Sequence, residues 1–463
     1  MESIDMISKK ISKDKKNIVF PSFTVKEKDI EKITVHSSEK CDEEIYINEF
    51  TVEGFTKKLK KLSRQSQENK ENLKQTQKLK SNAVNKEENT KFKYCKKCVQ
   101  PNTRPGVKFD ENDICSACRL TEVPDETDWA KRREELNAIA DWARSRNVSG
   151  YDCIVGVSGG KDSTRQSMYV RDELGLKPLL VSCTYPPEQQ TERGAHNISN
   201  LISLGFDCIC VSPNPQIWKV LMKQGFMKFG NWCKSTEMAL YASAPHMAVA
   251  YHIPLIILGE NPAIALGDMD VGSTGGDANK MKYCHTLGGG DPSPLLIDGI
   301  TEKDIIFYRY PSDDEMEWAN LRLIYLGYYI KDFTRFKNAE FGIKHGLKFR
   351  DDPLEDIGDV YGCEALDDDF VVENQMFKYL KFGFGKVTDQ ASEAIRLGMI
   401  TREEAIELVR KYDGKCADRF IKRFCNYLEI TLEEFWEVAE KFRNSNIWEK
   451  DCNGEWKLKV TLE

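Results

Sequence analysis

Seven consecutive residues, Ser158-Gly159-Gly160-Lys161-Asp162-Ser163-Thr164, have the composition of a phosphate cradle. Small residues let an anion approach the backbone, whose N–H groups point at it. A helix beginning directly afterwards adds the positive end of its dipole. Lys161 contributes a point charge, and Asp162 has two equal readings, a ligand for Mg2+ or a cap for the helix. The spacing is not that of the Walker-type loop, which requires G-x-x-x-x-G-K-[ST]. A second chemical group is a cysteine quartet. Cys95-x-x-Cys98 and Cys115-x-x-Cys118 stand sixteen residues apart, the spacing of a zinc ribbon. Four thiolate ligands leave no open coordination position, so Zn2+ held there is structural. A redox dithiol pair, four free cysteines and a ribbon that has lost its metal are the alternatives.

The surrounding pattern must position these groups. Asp152 to Val157 reads as a buried parallel strand, and Arg165 onward as a helix, so the Gly-rich turn sits between strand and helix. Strands at 177–184, 206–211 and 253–258 alternate with helices at 191–204, 216–229 and 236–251. That alternation predicts βαβ units and a parallel sheet buried on both faces. Ligands of such sheets bind at the carboxyl ends of the strands. Ser158–Thr164, Thr184-Tyr185 and Gly259-Glu260-Asn261 therefore converge on one crevice. Backbone groups of Ser182 to Thr184 are candidates to bind adenine. Glu260 and Asn261 are candidates for metal or substrate contacts, with a polar turn before Pro262 as the alternative. The Gly/Asp-rich stretch 267–290 carries Asp268 and Asp270 and reads as a lid. Residues 314–330 are aromatic-rich and read as helical. Thr401-x-x-Glu404 and Thr431-x-x-Glu434 are capping boxes that open two more helices, and Gly414 reads as a stop.

The first ninety residues look different. Short strands are expected at 19–25 and 44–47. Residues 57–80 are rich in Lys, Gln, Glu and Asn and read as a solvated helix or a linker, and 81–90 are more polar still. Overall the chain of 463 residues is 40% apolar and 30% charged, as in soluble globular proteins. Its net charge of −7 argues against a nucleic-acid substrate. The N-terminus has no secretory character and no apolar run is long enough to span a bilayer. Fifteen cysteines without an export signal point to reduced thiols and a cytoplasmic location. Cys153, Cys183, Cys208 and Cys210 fall in strands and read as small hydrophobes. A catalytic thiol at Cys233 or Cys284 has no support. The histidines show no ligand spacing.

The order Ser-Gly-Gly-x-Asp-Ser resembles the PP-loop of the ATP pyrophosphatases. Three segments extend the likeness: Tyr94-Cys-Lys-Lys-Cys-Val-Gln-Pro-Asn-Thr-Arg-Pro105, Cys115-Ser-Ala-Cys118 and Val157-Ser-Gly-Gly-Lys-Asp-Ser-Thr164. Two more follow, Lys381-Phe-Gly-Phe-Gly-Lys-Val-Thr-Asp-Gln-Ala-Ser392 and Lys415-Cys-Ala-Asp-Arg-Phe-Ile-Lys-Arg-Phe-Cys425. Together they resemble the N-acetyl sugar amidotransferases of bacterial surface-polysaccharide and nonulosonic-acid pathways, over residues 90 to 450. The resemblance implies an α/β fold, a PP-loop adenine-nucleotide hydrolase-like parallel sheet with helices on both faces. Residues 1–90 lie outside it as a variable extension; it implies a zinc ribbon at 91–125, the ATP-binding domain at 126–300 and a mostly helical substrate or partner region at 301–463.

The implied reaction converts an acetamido group of a sugar or nucleotide sugar to an acetamidino group, with ATP cleaved to AMP and pyrophosphate. Ammonia would come from a glutaminase through a barrel-shaped subunit similar to those of imidazole glycerol phosphate synthase, because no glutaminase signature stands in this chain. Ser158, Gly159, Gly160, Lys161, Asp162, Ser163 and Thr164 would cradle the phosphates, with Lys161 and Asp162 the catalytic pair and Mg2+ the cofactor. Lys381 and Lys386 would reach phosphates from the C-terminal part, unless they are solvated surface lysines. Two competing readings are a PP-loop enzyme of tRNA thiolation and a non-catalytic scaffold. The first needs a basic RNA-binding surface, which the acidic balance opposes. The intact loop opposes the second.

Overall fold

Five short apolar segments pair side by side in the computed structural model, which describes residues 50–74, 92–121, 127–269, 275–284 and 287–463. The strands are β1 (Cys153–Gly156), β2 (Pro178–Cys183), β3 (Cys208–Val211), β4 (Leu255–Leu258) and β5 (Arg322–Tyr325). Every pairing is parallel, in the order β3-β2-β1-β4-β5. Side chains alternate between the faces, as the pleat requires. Ile154, Val181, Ile256 and Leu323 face a core shared with the helices Pro215–Phe229 and Cys233–Tyr251. Cys153, Val155, Leu180 and Ile257 face a second core with the helix Trp129–Ser145. The sheet is thus covered on both sides.

The sequence of crossovers fixes where a crevice opens. The helices after β1 and β2 carry Val170 and Leu201 into the second core. The two helices before β4 lie on the opposite face. The strand order reverses between β1 and β4, and a ligand crevice is expected outside their carboxyl ends.

Two expectations are corrected here. Residues 314–330 are not one helix: a short helix, Asp313–Trp318, gives way to β5. Arg322-Leu-Ile-Tyr325 is too short for its apolar content to reveal a period, and pairing with β4 decides it. Nor is Val52–Lys74 a solvated helix. Phe55, Leu59, Ser63 and Ser66 are buried along one stripe against the helix Arg402–Tyr412. Lys57 and its partner Glu53 remain in solvent. The stripe is easy to miss because serine completes it. Phe55 lies edge-on to Phe336 and Tyr361, with ring centroids 5.9 and 5.7 Å away. Phe55→Ala is expected to cost about 3–5 kcal/mol, read as a lower urea midpoint with unchanged slope.

The expected strands at 19–25 and 44–47 and the polar stretch 81–90 lie outside the described residues. Beyond residue 330 the chain is mostly helical. Both capping boxes form, at Thr401 and Thr431, and Gly414 follows the first helix with φ +70°. A small hairpin pairs Trp448–Lys450 with Trp456–Leu458. Among the described residues no helix is long and apolar enough to cross a membrane.

Candidate functional site: the loop after β1 and its charged shell

The chain leaves β1, turns through Ser158-Gly159-Gly160 and enters the helix Lys161–Met168. Gly159 has φ +78°, and a Cβ there would stand 2.9 Å from the Ile198 backbone nitrogen and 3.0 Å from the Asn197 carbonyl carbon. Only glycine fits. Gly160 occupies the helix cap without a side-chain bond, so Asp162 does not cap. Ser163 Oγ accepts the Ser158 N–H at 3.3 Å, which closes the turn. A cavity of about 370 Å³ opens at the carboxyl ends of the strands, with Ser158, Asp162, Ser163 and Glu260 on its polar wall. Tyr241, Ala244 and Pro245 form the apolar side.

Lys161 is buried with its ammonium among three carboxylates. It pairs with Asp162 and stands 3.6 Å from Glu364 Oε1 and 4.0 Å from Glu260 Oε1. Burial alone would lower its pKa; Asp162, Glu364 and Glu260 outweigh burial and hold it above the usual lysine range. The Asp162 charge and burial push Glu260 up to about 7, against the pull of Lys161. Asn338 donates to Asp162 Oδ1 at 2.7 Å. Arg335 binds Glu364 and holds Glu393 Oε2 at 2.8 Å. Gln390 bridges Glu364 (3.0 Å) to Asp359 (2.7 Å), and Lys386 stands 3.4 Å from Asp359.

Burial works to raise the Glu364 carboxyl, but Arg335 and Lys161 overcome it and bring the group down to about 2 from 4.5. Its contribution to stability is therefore present above 4.5 and fades as the pH falls through about 2. Glu364→Gln leaves Glu393 as the carboxylate that still pairs Arg335, and a loss of about 1.5–3 kcal/mol is expected at neutral pH. The gap to the unaltered chain should close as acid is added from pH 4.5 toward 2, measured by urea unfolding at each pH.

Arg335, Asn338, Glu364, Lys386 and Glu393 all come from the C-terminal part of the chain. Residues 332–462 match the family model described as LPS biosynthesis protein WbpG-like, C-terminal domain. The match relates this part of the chain to an LPS-biosynthesis family. No curated protein matches the chain. The WbpG-like segment packs its first helix, Arg335–Lys344, directly on the loop helix. Gly342 faces the loop helix there, and a Cβ on it would lie 3.4 Å from Lys161 Cα.

The other expected site residues are scattered. Thr164 turns its hydroxyl back to the Gly160 carbonyl at 3.0 Å. Ser182 points away from the cavity, whose lining on β2 is Val181 and Cys183. Thr184 N–H donates to the Val211 carbonyl at 2.9 Å and ties β2 to β3. Asn261 is the cap of the helix Pro262–Leu266, accepting from Ala263 N at 2.9 Å and donating to the Gly275 carbonyl at 2.8 Å. The polar-turn reading holds for Asn261, while Glu260 faces the loop. Lys381 donates to the Phe229 carbonyl at 2.9 Å, outside this group. Lys386 is not a solvated lysine; it belongs to the shell.

The described part of 267–290 is stitched down, not a lid. Asp268 bridges to Val107, and Ala278 N–H donates to the Leu323 carbonyl at 2.9 Å. Asp270 lies outside the described residues. Cys210 is exposed and Cys208 half-buried, because β3 is the sheet edge. Cys183 lines the cavity, but burial pushes its thiol up to about 12, leaving it a weak nucleophile. Cys233 sits in a separate cavity of about 100 Å³.

The four ribbon cysteines are all buried, and their sulfurs lie within 4.8 Å of one another. Cys95 and Cys118 sulfurs are 4.0 Å apart, those of Cys98 and Cys115 3.7 Å. A tetrahedral zinc with Zn–S bonds of about 2.3 Å requires S···S separations of about 3.8 Å. Backbone N–H groups of Lys97 (3.4 Å) and Cys115 (3.3 Å) point at Cys95 Sγ. The donor set fits a structural zinc. The ribbon also reaches the site: Ser116 Oγ donates to the Gly267 carbonyl at 2.6 Å, next to the Glu260 segment.

Proposed function

We propose that the chain is an ATP-dependent amidotransferase of LPS or nonulosonic-acid biosynthesis. It would convert an acetamido group on a sugar to an acetamidino group, releasing AMP and pyrophosphate. The observation that carries this reading is the loop geometry: a positive-φ glycine turn and an uncapped helix start stand beside one cavity, which Ser158, Asp162 and Ser163 line, with the buried Lys161 paired to Asp162 behind it. The LPS-related C-terminal segment supplies one of the three carboxylates around that lysine, Glu364, and the Arg335 that pairs with it.

The chemistry balances as follows. The acetamido oxygen attacks the α-phosphorus of ATP, and the bond to the pyrophosphate oxygen breaks. Ammonia adds to the activated carbon, AMP departs with the former amide oxygen, and the nitrogen loses a proton. Loop N–H groups and the helix dipole hold the phosphate oxygens. Lys161 stabilises the charge that develops on pyrophosphate. Asp162 and Glu260 would hold Mg2+, since the Asp162 charge raises the Glu260 carboxyl and a divalent cation would relieve that repulsion. The chemistry such an ion would supply there is positive charge against the pyrophosphate leaving group. Glutaminase and barrel-type partners would supply ammonia unprotonated.

Incubation with ATP, ammonium and a panel of N-acetylated sugars tests the reading. Expected are pyrophosphate and a product lighter by the exchange of O for NH. ADP and orthophosphate as the spent products would refute it.

A further inference from the structure

A second cavity, about 340 Å³, opens on the far side of the segment Glu260–Leu266. It shares Glu260 and Ala265 with the loop cavity, so the two are separated by one turn of chain. Four cations line it, Arg132, Lys331, Arg335 and Arg396, against two carboxylates, Glu260 and Glu393. Arg335 is committed to Glu364 and Glu393. The other three cations make no ion pair with the described residues.

Two of them are held in place by neutral groups. Arg132 donates to the Tyr328 carbonyl at 2.7 Å and lies 3.8 Å above the Tyr328 ring. Arg396 donates to the Ala265 carbonyl at 2.8 Å, on the wall between the cavities. Such bonds fix a guanidinium without cancelling its charge. The excess is felt nearby: after burial, repulsion from Arg396 is the main influence lowering Arg104, to about 9. Trp129 and Phe333 add aromatic surface. Fixed guanidiniums that pair with neither Glu260 nor Glu393, beside aromatic walls, match an anionic ligand that carries a ring.

We propose that this second cavity binds the anionic group of the acceptor sugar, a carboxylate or a phosphate, with Arg132, Lys331 and Arg396 as its ligands. The inference rests on the loop cavity being the ATP site. The acceptor amide would then reach the nucleotide past Glu260, which lines both cavities.

Calorimetric titration of the full chain without ATP tests it with three probes. UDP-N-acetylglucosamine offers phosphate, N-acetylneuraminate offers carboxylate, and N-acetylglucosamine offers neither. At least one anionic probe is expected to bind about tenfold or more tighter than the neutral sugar, and which one binds identifies the group. Lys331→Glu and Arg396→Gln should each weaken that probe by about tenfold. Lys422→Glu, a charge-matched change on an exposed lysine elsewhere, should not. Pyrophosphate release is assayed separately. A chain that keeps the anion preference but releases no pyrophosphate refutes the ATP reading and supports this site. Equal binding of neutral and anionic probes, no binding of either anion at millimolar concentration, or unaltered affinity in both variants overturns it.

Discussion

Lys161→Met is expected to lower pyrophosphate release by about 10²–10³-fold, the loss typical of removing one group that stabilises developing charge. The side chain is buried, and its ammonium faces Asp162, Glu364 and Glu260 together. Methionine fills a similar volume but leaves those carboxylates facing one another. Their repulsion lowers stability as well, so the turnover loss needs a partner measurement. Gly159→Ala provides it, because all the charges remain while a Cβ at φ +78° collides with backbone at Asn197 and Ile198. The turn must open, and the N–H groups lose their common aim. Nucleotide affinity should then fall with Lys161 still in place. Both variants are compared by ATP titration and by pyrophosphate release at a temperature where each is folded. A Lys161→Met protein that turns over at the unaltered rate would remove the lysine from the phosphate site.

The part of this site that local sequence could reveal is the part that local sequence builds. A strand, a Gly-rich turn and a helix start are contiguous, and Ser158, Asp162 and Ser163 stand at the cavity wall. Glu260 was legible for the same reason, because the end of a buried parallel strand must lie near the loop. Other positions are engaged by their own elements. On β2 the Ser182 side chain turns from the cavity, and the Thr184 N–H goes to the Val211 carbonyl of the neighbouring strand. Asn261 satisfies a helix start instead of a substrate.

Arg335, Asn338 and Glu364 were not legible at all. They lie more than a hundred residues beyond the loop, on elements brought to it by the packing of the helix Arg335–Lys344 on the loop helix. No spacing rule connects them to Lys161. Their signal is collective: several acidic and basic residues that a predominantly apolar interior would otherwise exclude. The helix Val52–Lys74 hid for a related reason. Half its buried stripe is serine, and Ser66 donates to Glu407 at 3.4 Å instead of filling an apolar gap.

Removal of the ribbon metal is expected to have the largest effect on stability. Metal analysis should first find one zinc per chain. Zinc binding contributes about 10–16 kcal/mol in small ribbon-like peptides, as much as the whole folding stability of a typical domain of about 5–15 kcal/mol. Without the ion, four buried thiols crowd within 4.8 Å and have no common partner. The damage should not stay local. Gly267 packs so closely that a Cβ would stand 2.6 Å from Ala117 N, and Met269 N–H donates to the Gly106 carbonyl at 3.0 Å. On the other side Arg402 reaches the Cys98 carbonyl at 3.2 Å, and Arg104 binds Asp389. The ribbon thus clamps the segment after β4 to the C-terminal helices, with Glu260 at one end of that segment. Chelation, or Cys115→Ser, should lower the melting temperature and weaken ATP binding together. Cys210→Ser, an exposed thiol on the sheet edge, should do neither. If the metal-free protein melts where the loaded one does and binds ATP as tightly, the ribbon is not the clamp that its contacts describe.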